Sequence, residues 1–178
     1  MSDFLAQVSR GVVVFDGAIG TSIQDRDLRP ADFGGLDGCN EVLVRTRPDV
    51  IAEIHTSFLA VGCDVVETDT FGGAPWVLAE YGLGDETEAL NEAAAALARK
   101  LCDQASGQRW VAGSIGPGTR SPTLSLGKDP GGAGGAGNDV IDYDAMMAGY
   151  TRQARGLLAG GADLLIVETV FDLLQAKA

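Results

Sequence analysis

Four short runs, GVVVF (Gly11–Phe15), CDVVET (Cys63–Thr68), RWVAGSI (Arg109–Ile115) and ADLLIVET (Ala162–Thr169), are apolar in succession rather than in alternation. A strand with one wet face alternates with period two. A continuous run instead fits a strand covered on both faces, as helical crossovers impose on a parallel sheet. Between the runs lie stretches of helical period. In DVIAEIHTSFLAVG, Val50, Ile51, Ile54, Phe58 and Val61 recur at three- and four-residue spacing, with Pro48 at a tolerated first-turn position and Gly62 as a stop. Glu86 to Gln104 is rich in Ala and Leu, and a third helix is predicted from about Tyr143 to Leu158, ended by Gly160 and Gly161. The order predicts an α/β fold with a parallel sheet, either open and doubly wound or part of a (β/α)8 TIM barrel. A full barrel takes ~250 residues. Four units in 178 residues make half of one. The expectation is therefore a single unit, residues 1–178, forming the N-terminal half of a barrel and stopping inside its fourth helix at DLLQAKA. Such a half exposes strand edges, which are expected to pair with a second copy as a homodimer.

Composition narrows the partners. Against 25 Asp and Glu stand 13 Lys and Arg, a formal charge of −12, which disfavours nucleic acid and anionic membrane surfaces. No apolar run approaches the ~20 residues of a membrane span, and MSDFLAQVSRG lacks a signal-peptide pattern, so a cytoplasmic protein is expected. Cys39, Cys63 and Cys102 are odd in number and widely spaced, which reads as buried reduced thiols rather than a disulfide or zinc framework. The Gly-rich stretch Gly127–Val140 reads as a flexible surface loop. His55, the single histidine, falls inside a predicted helix away from the strand ends, as a surface or helix-packing residue, and this removes Ser/His/Asp catalysis. GSIGPGT lacks both the Lys-Ser/Thr ending and the GxGxxG spacing of phosphate loops.

In either parallel layout, chemistry sits at the carboxyl ends of the strands. Those ends carry Asp16-Gly17, then Glu67-Thr68-Asp69-Thr70-Phe71, then Ser114-Ile115-Gly116-Pro117-Gly118-Thr119, then Glu168-Thr169. Carboxylates at three tips and hydroxyl plus glycine backbone at the fourth predict a shared polar pocket. Each residue also has a plainer role. Asp16 can stabilise the turn before Gly17, Thr70 can satisfy backbone, and alternation can turn Glu67 away. Glu168, after four aliphatic residues, needs a partner to offset desolvation: a bound ammonium or an arginine.

Six segments, DGAIGT (Asp16–Thr21), GCNE (Gly38–Glu41), TRPDVIAEIH (Thr46–His55), ETDTFG (Glu67–Gly72), GSIGPGT (Gly113–Thr119) and ETVFDLLQAKA (Glu168–Ala178), are together similar in order and spacing to the homocysteine-binding domain of cobalamin-dependent methionine synthases. The resemblance runs from about Val12 to the last residue. It implies a (β/α)8 barrel that binds homocysteine at its top and methylates the sulfur to give methionine. It gives Asp16 and Glu168 the substrate ammonium and the backbone around Gly113 and Ser114 its carboxylate, with Thr70 and Asn40 as nearby candidates. It further implies a zinc ion on three cysteines, with cobalamin and methyltetrahydrofolate handled by other modules. Cys39, Cys63 and Cys102 do not match the zinc-ligand positions, so neither a metal ligand nor a catalytic residue is assigned here, and the isolated chain is expected to be inactive. Two alternatives stand beside this reading: a cobalamin-independent methyltransferase using betaine or S-methylmethionine, and a barrel hydrolase using Asp16 and Glu168 as a carboxylate pair.

Overall fold

The structure is a computed structural model and describes residues 4–123 and 140–178. The loop predicted at Gly127–Val140 lies outside those residues except for Val140. The chain opens with α1 (Phe4–Arg10) and α2 (Ile19–Gln24), followed by α3 (Leu43–Thr46) and α4 (Pro48–Ala60). Then come β1 (Val65–Glu67), α5 (Pro75–Leu78), α6 (Thr87–Gln104) and β2 (Trp110–Ile115). The chain continues through α7 (Tyr143–Ala159), β3 (Leu164–Val167) and α8 (Leu173–Lys177). The three strands form a parallel sheet in sequential order, with Val65 beside Trp110 and Ala112 beside Leu164.

Two expectations need correction. The first predicted strand, Gly11–Phe15, shrinks to a single parallel bridge between Phe15 and Val65. Its neighbours still bond: the Asp64 and Val65 amides donate to the Val14 carbonyl at 2.7 and 3.1 Å, and the Asp16 amide donates to the Val65 carbonyl. The Val14 amide, however, donates to the Asp64 side chain rather than to a carbonyl, and this interrupts the ladder. Secondly, the last strand is not covered on both faces. All six residues of β2 are buried, but β3 alternates, leaving Leu165 and Val167 exposed. Val61, counted on the apolar face of the first long helix, lies past its end and is 84% exposed.

Helices α4, α6 and α7 form buried contacts beside the sheet. The apolar face of α4 (Val50, Ile51, Ile54) joins Leu43, Leu78 and Leu90 in one cluster. His55 is also buried, in helix packing, and burial depresses its pKa to about 4, so it is a neutral imidazole. Helix α7 starts on Asp142, whose side chain accepts from the Asp144 and Ala145 amides. It lies so close to α6 that a Cβ on Gly156 would fall inside van der Waals contact of the Glu88 carbonyl oxygen. None of the helices among the described residues is long and apolar enough to cross a membrane.

Candidate functional site

A cavity of about 440 Å³ opens at the carboxyl ends of the strands. Asp16 reaches it from just past the Phe15 bridge, Glu67, Ser114 and Glu168 from the ends of β1, β2 and β3, and Asn40, Glu41, Asp69 and Phe71 line it from the connecting loops. Asp16 and Glu168 thus share one cavity. Among the described residues its lining has five carboxyl groups and no Lys, Arg or His.

Backbone geometry sets the first wall. Because the Asp16 amide stays bonded to the Val65 carbonyl, the Asp16 carboxylate accepts the Glu67 amide on both oxygens at 3.1 Å. Burial nevertheless pushes its pKa up to about 7, with the Glu67 charge adding to the rise. Glu67 is raised too, by burial and then by Glu168. Strand alternation therefore does not turn Glu67 out of the pocket. Glu168 accepts a hydrogen bond from the Ser114 hydroxyl, so its partner within the chain is a neutral donor and not an arginine.

The floor is the loop Thr68–Gly73, and it is held from beneath. The Ser114 amide donates to the Thr68 hydroxyl at 3.0 Å, and the Thr70 hydroxyl donates to the Ser114 carbonyl at 2.8 Å. From α6, Asn91 donates to the Gly73 carbonyl at 2.9 Å, and from α7, Gln153 donates to the Thr70 carbonyl at 2.9 Å. A side chain at Gly73 would collide with both amides. A buried carbonyl that loses its last donor costs about 1–3 kcal/mol, and the Thr70 carbonyl keeps the Gly73 amide as a second one.

The second wall comes from the turn at Asn40–Val42. Glu41 accepts the Gly72 amide at 2.7 Å and faces the Cys39 thiol. Burial raises the Glu41 pKa. Asp69 stands beside it, 6% exposed, with Oδ2 lacking any hydrogen-bond partner. Burial, then the Glu41 charge, hold its pKa well above the carboxylate range.

Of the predicted site residues, Asp16, Asn40, Ser114 and Glu168 meet at the cavity, and Gly113 and Thr70 do not line it. Gly113 faces α7, where a Cβ would strike Leu165 and Leu157, and Thr70 lies below the floor as a brace. The Ser114 amide, read as open, is spent on Thr68. Asn91 and Gln153 were missed altogether. Their signal was a polar residue inside an apolar helical stripe, as in Met146, Tyr150, Gln153, Leu157.

The cysteines do not converge. Cys39 packs in one apolar cluster and Cys63 and Cys102 in another, and burial pushes each thiol up to about 11. Among the described residues no three His, Cys, Asp or Glu side chains are grouped to hold a metal ion. These residues therefore do not fit the zinc site that the resemblance implies.

Residues 13–178 match the family model for homocysteine S-methyltransferases. The chain is 42% identical over 180 residues to methionine synthase from Mycobacterium tuberculosis and 41% identical to that from Mycobacterium leprae, with 99% of the chain covered in each case. It spans 14% of the length of either relative. Among solved structures, the homocysteine methyltransferase MmuM from Escherichia coli in its metallated form superposes with a TM-score of 0.72 at 24% identity, covering 98% of this chain and 59% of that one. The apo form gives a TM-score of 0.61 at 21% identity, covering 92% and 51%. Identities this low speak for the fold alone.

Proposed function

The chain belongs to the homocysteine S-methyltransferase family, and from that premise we propose that it supplies the amino-acid grip of a methionine synthase. The observation that carries this reading is the convergence of Asp16, beside the Phe15 bridge, and Glu168, after β3, on one cavity to which the described residues bring no cation. A primary ammonium fits that lack. Lying between the two carboxylates, it offsets charges that burial alone disfavours. The Ser114 hydroxyl fixes Glu168, and the Glu67 amide fixes Asp16, so both acceptors stand oriented before the ligand arrives.

The same reading makes residues 1–178 the N-terminal half of a (β/α)8 barrel. In its support, the bridge at Phe15 and strands β1 to β3 follow one another without the reversal of order that marks a doubly wound sheet. The open side of β3 then takes a further strand, or, in this chain by itself, a second copy. Zinc, cobalamin and methyltetrahydrofolate belong in this reading to the whole protein, and methyl transfer is its activity. The described residues bind and orient the amino acid, in a protein expected to be cytoplasmic. Family membership sets aside the carboxylate-pair hydrolase, and the names of the 41–42% identical relatives favour methionine synthase over a cobalamin-independent enzyme.

Titration calorimetry with L-homocysteine tests the grip. Asp16→Asn and Glu168→Gln are each expected to weaken binding at least about tenfold, the worth of a hydrogen bond to a charged group. Wild-type chain that takes up no heat with millimolar homocysteine overturns the reading.

A further inference from the structure

The five carboxyls of the cavity do not act as one cluster. Asp16, Glu67 and Glu168 influence one another along the strand ends, while Asp69 and Glu41 form a separate pair on the loop wall. The two groups are built differently. Asp16 and Glu168 each accept from a donor of the chain. Glu41 is likewise occupied, by Gly72 and Cys39. Asp69 alone among these five is buried with an oxygen that finds no donor. The titratable groups that act on it are Glu41 and, across Glu41, Cys39, and neither supplies a positive charge. An ionised carboxylate placed there would be dry, unpaired and beside another acid. A carboxylic acid bearing its proton suffers none of this and gains a donor.

We propose that Asp69 is a specificity-determining residue that presents a neutral carboxylic acid O–H to the anionic end of the ligand. This rests on the reading of the cavity as an amino-acid site. If Asp16 and Glu168 take the ammonium, two stretches of the lining are left for the ligand's carboxylate, the Gly17–Gly20 backbone and the loop wall of Asn40, Glu41 and Asp69, and only the loop wall carries a buried side-chain oxygen without a partner. An ionised Asp69 would repel it. A protonated Asp69 donates a short charge-assisted hydrogen bond to it, and the Asn40 amide adds a neutral donor on the same wall. The pocket then discriminates at both ends. It takes a cation between Asp16 and Glu168 and an anion at Asp69, where the neighbouring Glu41 is already bonded to the Gly72 amide. Binding tightens as pH rises through about 7, where Asp16 loses its proton.

Two substitutions separate this role from a second cation site. Asp69→Asn keeps a donor and removes the ionisable group; Asp69→Ala removes both. With L-homocysteine as calorimetric probe at pH ~7, Asp69→Asn is expected to bind within about threefold of wild type. Asp69→Ala should bind about tenfold more weakly. With 3-aminopropane-1-thiol, the same ligand without its carboxylate, all three proteins should bind alike. Loss in Asp69→Asn as deep as in Asp69→Ala would mean that the negative charge is needed, and it overturns the proposal. So would wild-type affinity in both variants. Carbon-13 NMR of the Asp69 carboxyl in the unliganded chain decides the protonation separately: a neutral signal at pH ~7 is expected, and an ionised one is disproof. Failure of the wild-type chain to bind any amino acid strikes the functional reading together with the ligand contact, and the NMR result still rules on the acid.

Discussion

Strands β2 and β3 look alike in sequence, WVAGSI beside LLIV, yet they live in different surroundings. Every residue of β2 is buried, and its carboxyl end is braced by Thr68, Thr70 and Gln153. Among the described residues strand β3 pairs with β2 along one side only, and two of its four side chains are exposed. The difference teaches where the site gets its precision. Ser114 at the end of β2 is fixed by backbone and by three buried side chains, and it passes that order to Glu168 on the less covered strand through a single hydroxyl. The well-packed strand positions the less covered one.

The largest way to break this contrast is to force apart the helices that cover β2. Gly156→Ala puts a methyl against the Glu88 carbonyl, a backbone atom that cannot swing aside. The expected loss is about 3 kcal/mol, at the upper end of overpacking costs, read as a lower urea midpoint with an unchanged slope. A gentler cut is Gln153→Ala, which takes one of two donors from the Thr70 carbonyl, the Gly73 amide being the other, and weakens support for Ser114. About 1 kcal/mol of stability should go. Homocysteine affinity should fall as well, although Gln153 lies outside the cavity lining. Unchanged affinity in a folded Gln153→Ala protein would show that the floor holds its shape without α7.

This contrast also marks what the residues disclosed. The long helices were legible because their apolar spacing is local, and α6 and α7 begin and end within a residue or two of the sequence reading. The strand tips were legible because a parallel sheet has one chemical end. Half-coverage of β3 was not, since aliphatic identity says nothing of what packs above it. Nor was the bridge at Phe15, because the Asp64 side chain that interrupts the ladder lies fifty residues away from Val14. Thr70 was read as a binder because hydroxyl type does not tell a brace from a contact. Asp69 sat in plain view at a strand end, but its missing partner is a property of space rather than of order.

The two edges of the sheet differ in electrostatics as well, and pH sharpens that difference. Asp16 titrates near 7 in the fold against 3.8 in an unfolded chain. Between those values the folded state binds more protons, so stability is greatest at low pH, falls as pH rises from about 4 to about 7, and is level beyond. The slope for one group cannot exceed about 1.4 kcal/mol per pH step. Thermal melts of wild type and Asp16→Asn across that window should differ in slope, with the variant flatter. Parallel slopes would show that Asp16 is ionised throughout.

The smallest effect belongs on the open strand. Val167 is 56% exposed, so shortening its apolar contact should matter little to the fold. Val167→Thr keeps the branched shape that suits a strand and is expected to change stability by no more than about 0.5 kcal/mol. Val167→Lys should cost similarly little in a monomer, because a long side chain there reaches water. In a strand that takes a second copy, however, the two lysines place like charges at the new seam, and edge lysines are a standing defence against such pairing. Sedimentation therefore separates the cases. Equal stability with reduced self-association in Val167→Lys marks β3 as a working interface. A loss of several kcal/mol in a dilute monomer would mean instead that this side of β3 is covered after all, and the contrast with β2 would vanish.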